Sequence, residues 1–177
     1  MGFSISCVGL QIPKPRALEI MGFRDTGQTD EANEAPFSIA YLPSGWSIIW
    51  SNTFDYASRP DTVRRSSAAK MIGCHVEEHV MFSSCHEARE GQILWNVWHD
   101  AQKGIYDIHS SGAVPTGFDS IVTTQKGEQD AHGGDKSAVD YLIDAPIDLA
   151  ASFTGWRYDR WRYTWGEPKF TVIEYAG

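Results

Sequence analysis

Residues 72–82 alternate between two kinds of side chain, and this alternation constrains the fold more than any other feature of the sequence. One set is apolar except for a glutamate, and comprises Ile72, Cys74, Val76, Glu78, Val80 and Phe82. The other set is small or polar, and comprises Gly73, His75, Glu77 and His79. A period of two is typical of a strand with one face in the core. We therefore expect an extended segment, with Glu78 protonated or held by a cationic or hydrogen-bonding partner.

The alternating segment begins a predicted meander of three strands, at residues 71–84, 92–99 and 105–109. The connections at 85–91 and 100–104 are too short for the crossover that parallel strands require. Further strands are predicted at 3–9, 38–42, 46–52 and 169–175. Helices are predicted at 16–22, 59–70, 118–132 and 146–155, with proline or glycine near most of their ends. The pattern predicts an α+β fold: a mostly antiparallel sheet with a central meander, and helices packed on one face.

Chain length and charge narrow the class of protein. A chain of 177 residues is typical of a single domain, spanning 1–177. The net charge of −8 opposes general adhesion to nucleic acid or to anionic membranes. No apolar run approaches the roughly 20 residues of a membrane span, and the first residues lack the pattern of a signal peptide. We expect a cytoplasmic protein without a membrane segment.

The three cysteines agree with that compartment. Cys7, Cys74 and Cys85 match neither a disulfide framework nor a Cys-x-x-Cys motif. We expect three reduced thiols. Cys74 lies in the apolar set of the alternating strand and is predicted to be in the core. Cys85 lies beside a predicted connection, so the sequence is compatible with an exposed thiol there.

The segment from His75 to His79 has the spelling His-x-x-Glu-His of the inverted zinc-peptidase motif. On a helix the two imidazoles would lie about 6 Å apart, close enough to share a metal ion. On a strand, at about 3.3 Å per residue, they lie roughly 13 Å apart, which zinc–nitrogen bonds cannot bridge. Because the alternation predicts a strand, no metal site is predicted here.

A different polar cluster follows if the predicted strands pair. A hairpin closing near residues 85–90 would bring His99 and Asp100 opposite His75 and Glu77. These four side chains are the candidate catalytic residues, for acid–base or metal-assisted chemistry. The alternative is a solvated polar face of the sheet. The sequence contains no phosphate-binding glycine loop, nucleophile elbow or dinucleotide fingerprint, so no cofactor is predicted.

Two other segments are candidate binding surfaces. The predicted loop at 24–38 is acidic, and its candidate binding residues are Asp25, Asp30, Glu31 and Glu34. Residues 156–165 hold five aromatic residues and three arginines, and contribute the candidate binding residues Trp156, Arg157, Arg160, Trp161 and Arg162. Such a composition suits base stacking, a protein interface or internal packing. A local charge near +2, without a second basic cluster, disfavours nucleic acid.

Several blocks of the sequence carry a resemblance to a family. The blocks are residues 1–6, 24–27, 42–46, 77–81 and 98–104, which read MGFSIS, RDTG, LPSGW, EEHVM and WHDAQKG. Together they resemble a family of small bacterial cytosolic proteins to which no activity is attached. The resemblance implies a bacterial or phage-borne protein, and carries over neither a reaction nor a partner.

These observations leave three hypotheses. The first is a small acidic protein-binding module of the immunity or antitoxin type, which would neutralise a basic partner through its negative surface. The second is a hydrolase that uses His75, Glu77, His99 and Asp100, with or without a divalent metal. The third is a structural subunit, which predicts a large apolar patch and a stable oligomer.

Overall fold

The computed structural model describes residues 2–177, which form a nine-stranded antiparallel sheet and four helices. The strands are β1 (Ser4–Leu10), β2 (Phe23–Thr29), β3 (Phe37–Tyr41), β4 (Ser47–Ser51), β5 (Met71–Glu77), β6 (Phe82–Arg89), β7 (Gln92–Asp100), β8 (Ile108–Gly112) and β9 (Thr171–Tyr175). The helices are α1 (Lys14–Met21), α2 (Pro60–Arg64), α3 (Gly117–Ala131) and α4 (Asp144–Thr154). The spatial order is β2-β9-β3-β4-β1-β5-β6-β7-β8. The predicted α+β class, the antiparallel sheet and its meander, β5 to β8, are confirmed.

Both faces of the sheet are covered by helices, whereas the sequence led us to expect helices on one face. Successive residues of β1 point to opposite sides: Cys7 belongs to a core beneath α4, and Val8 to a core beneath α1. We call these sides the α4 face and the α1 face. The two long helices share the α4 face, with α3 packed against α4, whereas α1 and α2 lie on the α1 face. Helices are needed on both sides because the central strands are apolar on both sides; Ile48 and Ile49 of β4 are both fully buried.

The turns of the meander fall earlier than predicted. The segment 71–84, expected as one strand, is β5, a turn at 78–81 and the start of β6. Residues 85–91, expected as a connection, mostly belong to β6, in which Cys85 is buried. Glu87 is also buried there, and its carboxylate has partners: it accepts a hydrogen bond from Trp95 Nε1 at 3.1 Å and pairs with Arg89 at 2.9 Å. Polar residues in β6 therefore meet partners inside the fold.

The expected loop at 24–38 also differs, because most of its first half is the edge strand β2, paired with β9. Only Phe23 of this strand is buried. A strand exposed on both sides has no apolar alternation, so its sequence is typical of a loop. The strand ends in a turn held by Asp30, whose carboxylate accepts hydrogen bonds from the backbone nitrogens of Glu34 and Ala35.

The predicted helices at 16–22, 118–132 and 146–155 match α1, α3 and α4, and the helix at 59–70 shortens to α2 and a 3-10 turn. Gly22 and Gly155 end α1 and α4 in the left-handed conformation, with φ of 72° and 74°. The strand expected at 105–109 is displaced to β8. Within residues 2–177, none of the helices has both the length and the apolar character that crossing a bilayer requires.

Candidate functional site

The four candidate catalytic residues do not converge. His75 and Glu77 lie on β5, His99 and Asp100 lie on β7, and β6 separates the two strands. In register, Glu77 pairs with Phe82, which pairs with Asp100. His75 points to the α1 face, whereas His99 points to the α4 face. The expected patch is absent among the described residues because the hairpin closes at 78–81 and places an additional strand between the two pairs.

His99 is a buried cross-link. Its Nε2 lies 2.7 Å from the carboxylate of Asp140, and its Nδ1 lies 2.7 Å from the carbonyl oxygen of Asp107. The carboxylate of Asp140 also accepts hydrogen bonds from the backbone nitrogens of Leu142 and Ile143. With both ring nitrogens engaged, His99 joins β7 to the segments before β8 and α4, and offers no free atom for chemistry.

Glu77 and Asp100 hold local turns. Glu77 accepts hydrogen bonds from the hydroxyl of Ser4 and from His79, and these lower the pKa of its carboxyl group. Asp100 accepts a hydrogen bond from the backbone nitrogen of Gln102 and lies 3.3 Å from the ammonium of Lys103. The two histidines of the His-x-x-Glu-His segment lie in different environments. His75 is buried in the extended β5, and His79 is 60% exposed in the following turn. No group of three or more metal-ligating side chains gathers anywhere in residues 2–177.

The acidic binding residues are partly engaged within the fold. The carboxylate of Asp25 lies 2.5 Å from the ammonium of Lys14. Asp30 is buried and holds the turn after β2. Glu31 and Glu34 are exposed. Two of the four acidic side chains are therefore exposed to solvent, and the other two are held within the fold.

The aromatic and arginine cluster divides into two parts. Trp156 is buried in the core beneath α4, beside Trp50. The Arg157 guanidinium contacts the carboxylates of Asp144, Asp148 and Asp159. Burial lowers its pKa, but Asp159 and Asp144 outweigh burial and raise it. The remaining candidates are exposed on the loop that follows, namely Arg160, Trp161 and Arg162. The first part of the cluster therefore packs within the fold, and only the second part is exposed to solvent.

A pocket of about 360 Å³ lies on the α1 face, and no motif in the sequence indicates it. We call it the histidine pocket. It is lined by Phe54, Ser58, His75, Phe82, Ser84, His86, Ile93, Asn96 and Trp98. Its floor is formed by β5, β6 and β7, since cross-strand partners point to the same face: His75 pairs with Ser84, and Ser84 with Trp98. The segment between β4 and α2 supplies one wall, with Phe54 at 5.5 Å from the His75 ring centre.

Two buried imidazoles define the chemistry of this pocket. His75 and His86 are 4% and 2% exposed, and their ring centres lie 5.6 Å apart. The Nδ1 atom of His75 lies 3.0 Å from the hydroxyl of Ser84. The Nε2 atoms of both histidines are buried and have no hydrogen-bond partner among residues 2–177. Buried polar atoms of this kind are uncommon and need an explanation.

Both imidazoles are neutral at pH 7. Burial, and secondarily the neighbouring His86, lowers the pKa of His75 to about 3. Burial lowers the pKa of His86 to about 4, against a smaller effect of the Ala57 backbone. A general base is most effective when its pKa lies near the working pH. The Ser84–His75 pair resembles the nucleophile and base of a hydrolase, but a base with a pKa near 3 is a weak one, so the site suits hydrogen bonding better than proton transfer.

Comparison with known proteins gives no relative. No protein-family model, no curated protein and no solved structure matches the chain.

Proposed function

We propose that the protein is a binding protein whose histidine pocket holds a small molecule. The observation that carries this proposal is the pair of buried Nε2 atoms, on His75 and His86, without a partner among the described residues. An unsatisfied buried polar group costs about 1–3 kcal/mol. Both atoms lie beneath the surface of the pocket, so a ligand recovers this cost when the imidazole rings turn towards it, which gives the site an affinity for hydrogen-bonding molecules.

The size and composition of the pocket support the same proposal. Its volume of about 360 Å³ falls at the lower end of the range typical of small-molecule sites. The lining combines aromatic and aliphatic surface with a few polar groups, which is the usual composition of such sites. The depressed pKa values of His75 and His86 favour binding over acid–base catalysis.

A fragment screen by ligand-observed NMR tests the proposal. The blocking variant is Ser58→Trp, because Ser58 is exposed on the lining of the pocket and a large side chain there fills it. The matched control is Ser120→Trp, on the exposed surface of α3. We expect fragments that bind the wild type and the control, and that the blocking variant excludes. Fragments that bind the blocking variant equally well, or no binding fragments at all, would overturn the proposal.

A second candidate function is the neutralisation of a basic protein, as in an immunity or antitoxin protein. The observation in its favour is that residues 117–159, the α3–α4 layer, hold eight acidic and three basic residues, a net −5 of the total −8. Asp119, Glu128, Asp130 and Asp135 are exposed there. Opposite surface charge accelerates association and improves specificity.

Charge-reversal variants test this second candidate by pull-down from native lysate and mass spectrometry. We expect a stoichiometric basic partner that Asp119→Lys with Asp135→Lys releases, and that Glu31→Lys with Glu34→Lys retains. The two double variants change the net charge equally, so they separate a local surface from a general effect of charge. Recovery of no partner, or equal loss in both variants, would contradict it.

A further inference from the structure

We propose that the ligand of the histidine pocket is an uncharged, planar heteroaromatic molecule with hydrogen-bond donors and acceptors on its edge, of about the size of a nucleobase. This inference rests on the proposed function, since it names the chemical class that the same pocket accepts. Three properties of the lining carry it: the absence of charge, the flat aromatic walls, and the mixed polarity of the hydrogen-bonding atoms.

The lining is uncharged at neutral pH. Of the described residues that form it, four are apolar and five are neutral polar groups, because both imidazoles are unprotonated. The neighbouring carboxylate of Asp55 already pairs with Arg59 at 2.8 Å. A charged ligand would lose its hydration in this site without meeting an opposite charge. The pocket therefore selects a neutral molecule.

The walls are flat rings. Phe54 and Phe82 meet edge to face, with ring centres 5.9 Å apart and an interplanar angle of 67°. Trp98 is half-buried and stacks on His109, with ring centres 5.3 Å apart. Aromatic rings prefer stacked or edge-to-face neighbours, so a planar ring gains more here than a puckered one of equal size.

The polar atoms offer both donors and acceptors. A neutral imidazole donates from one nitrogen and accepts at the other, and the Ser84 hydroxyl decides which role remains for the Nε2 atom of His75. The amide of Asn96 provides a donor and an acceptor side by side. Alternating N–H and C=O or ring-nitrogen groups on the edge of a heterocycle complement this set, whereas a hydrocarbon ring would complement none of it.

Neutral imidazoles are also common ligands of transition metals. The pocket lacks the carboxylate or thiolate that would complete such a site, since the described residues supply no group of three ligating side chains. Metal binding is therefore an alternative that the experiment must separate.

The experiment compares matched probes by saturation-transfer NMR and calorimetry at pH 7.5. Neutral planar probes are uracil, cytosine and adenine; 5,6-dihydrouracil removes planarity from uracil, and orotate adds a charge to it. We expect at least one nucleobase to bind, and the uracil derivatives to bind at least tenfold more weakly than uracil if uracil is among the ligands. The near-isosteric change Asn96→Leu, at a half-buried position, should weaken binding about tenfold without altering the fold.

The outcomes separate this inference from the proposed function. If screened fragments bind in a Ser58-dependent way but no nucleobase does, the proposed function stands and the ligand class is wrong. If orotate or dihydrouracil binds as tightly as uracil, the class is again wrong. If zinc chloride binds and shifts the Cε1 proton signals of His75 and His86 while nucleobases do not, the pocket is a metal site and the inference fails.

Discussion

The ring of His86 lies directly over Gly73, its cross-strand partner on β5. A β-carbon added at Gly73 would lie 2.2 Å from the Cε1 atom and 2.4 Å from the Nε2 atom of that ring. Real β-carbons do not approach other atoms so closely. The missing side chain of Gly73 is therefore what allows a buried imidazole to lie on the floor of the histidine pocket.

Gly73→Ala should consequently displace His86 and lower the free energy of unfolding. Overpacking of this kind costs about 1–3 kcal/mol, and urea denaturation measures it. The matched control is Gly127→Ala in the exposed middle of α3, where a β-carbon meets nothing within 4 Å. Alanine is the better helix former by about 0.5–1 kcal/mol, so the control should be stabilised. Two changes of the same sign would contradict this account of Gly73.

The two pocket histidines should make stability depend on pH in a defined window. Their folded pKa values of about 3 and about 4 lie below the ordinary value of 6.5. Above pH 6.5 both the folded and the unfolded states hold neutral imidazoles, and stability is complete. As the pH falls from 6.5 towards 4, the two histidines bind protons in the unfolded state but not in the folded state, so the free energy of unfolding decreases.

At about 1.4 kcal/mol per pKa unit, each histidine should remove about 2 kcal/mol of stability between pH 7 and pH 5. His75→Asn should reduce the loss measured by urea denaturation over this interval by that amount. His132→Asn is the control, because His132 is 51% exposed at the end of α3. An unchanged pH dependence in His75→Asn would show that His75 titrates normally in the folded protein.

Prediction from the sequence succeeded where apolar and polar residues alternate along a strand, as in β5, although both sides of that strand are buried. At β5 the alternation between apolar and polar positions indicated both the strand and the sides of the sheet. It failed for β6, which is buried on both sides although five of its eight residues are polar. Their partners are distant in sequence: the hydroxyl of Ser83 donates to the carbonyl oxygen of Ile143, 60 residues away. Such partners cannot be inferred from local pattern.

The residues of the candidate site, like the strands, were only partly predictable from the sequence. The alternation identifies His75 as a candidate, but its neighbour His86 lies in the segment predicted as a connection, at 85–91. The pocket depends on the register of β6 against β5 and on Phe54, which arrives from another part of the chain. Neither is encoded in a short motif. The continuation of polar positions through Ser84 and His86 was the available signal.

His99 should prove to be a structural residue. His99→Phe keeps an aromatic ring, somewhat larger than imidazole, but leaves the Asp140 carboxylate, 9% exposed as a residue, without its imidazole partner. Leaving a buried polar group unpaired costs about 1–3 kcal/mol, and more for a charged group. Because backbone hydrogen bonds to Asp140 remain, we expect a loss of about 2–4 kcal/mol. The control is His109→Phe at a 48% exposed position, where surface changes stay within about 0.5 kcal/mol. Equal stabilities of the two variants by thermal or urea denaturation would contradict the cross-link.

The three cysteines form a row across the sheet: Cys7 pairs with Cys74 on β5, and Cys74 pairs with Cys85 on β6. All are free thiols. Cys85 is fully buried, although the sequence was also compatible with an exposed position.

Burial raises the pKa of each thiol, to about 12 at Cys74. Because the thiolate is the reactive form, the native protein should release essentially no thionitrobenzoate from Ellman's reagent at pH 8, and three equivalents after unfolding in urea. Ser120→Cys on the exposed surface of α3 is the positive control and should react at once. Reaction of the buried Cys7 and Cys85 at the rate of this control would mean that the sheet opens readily between β1 and β6.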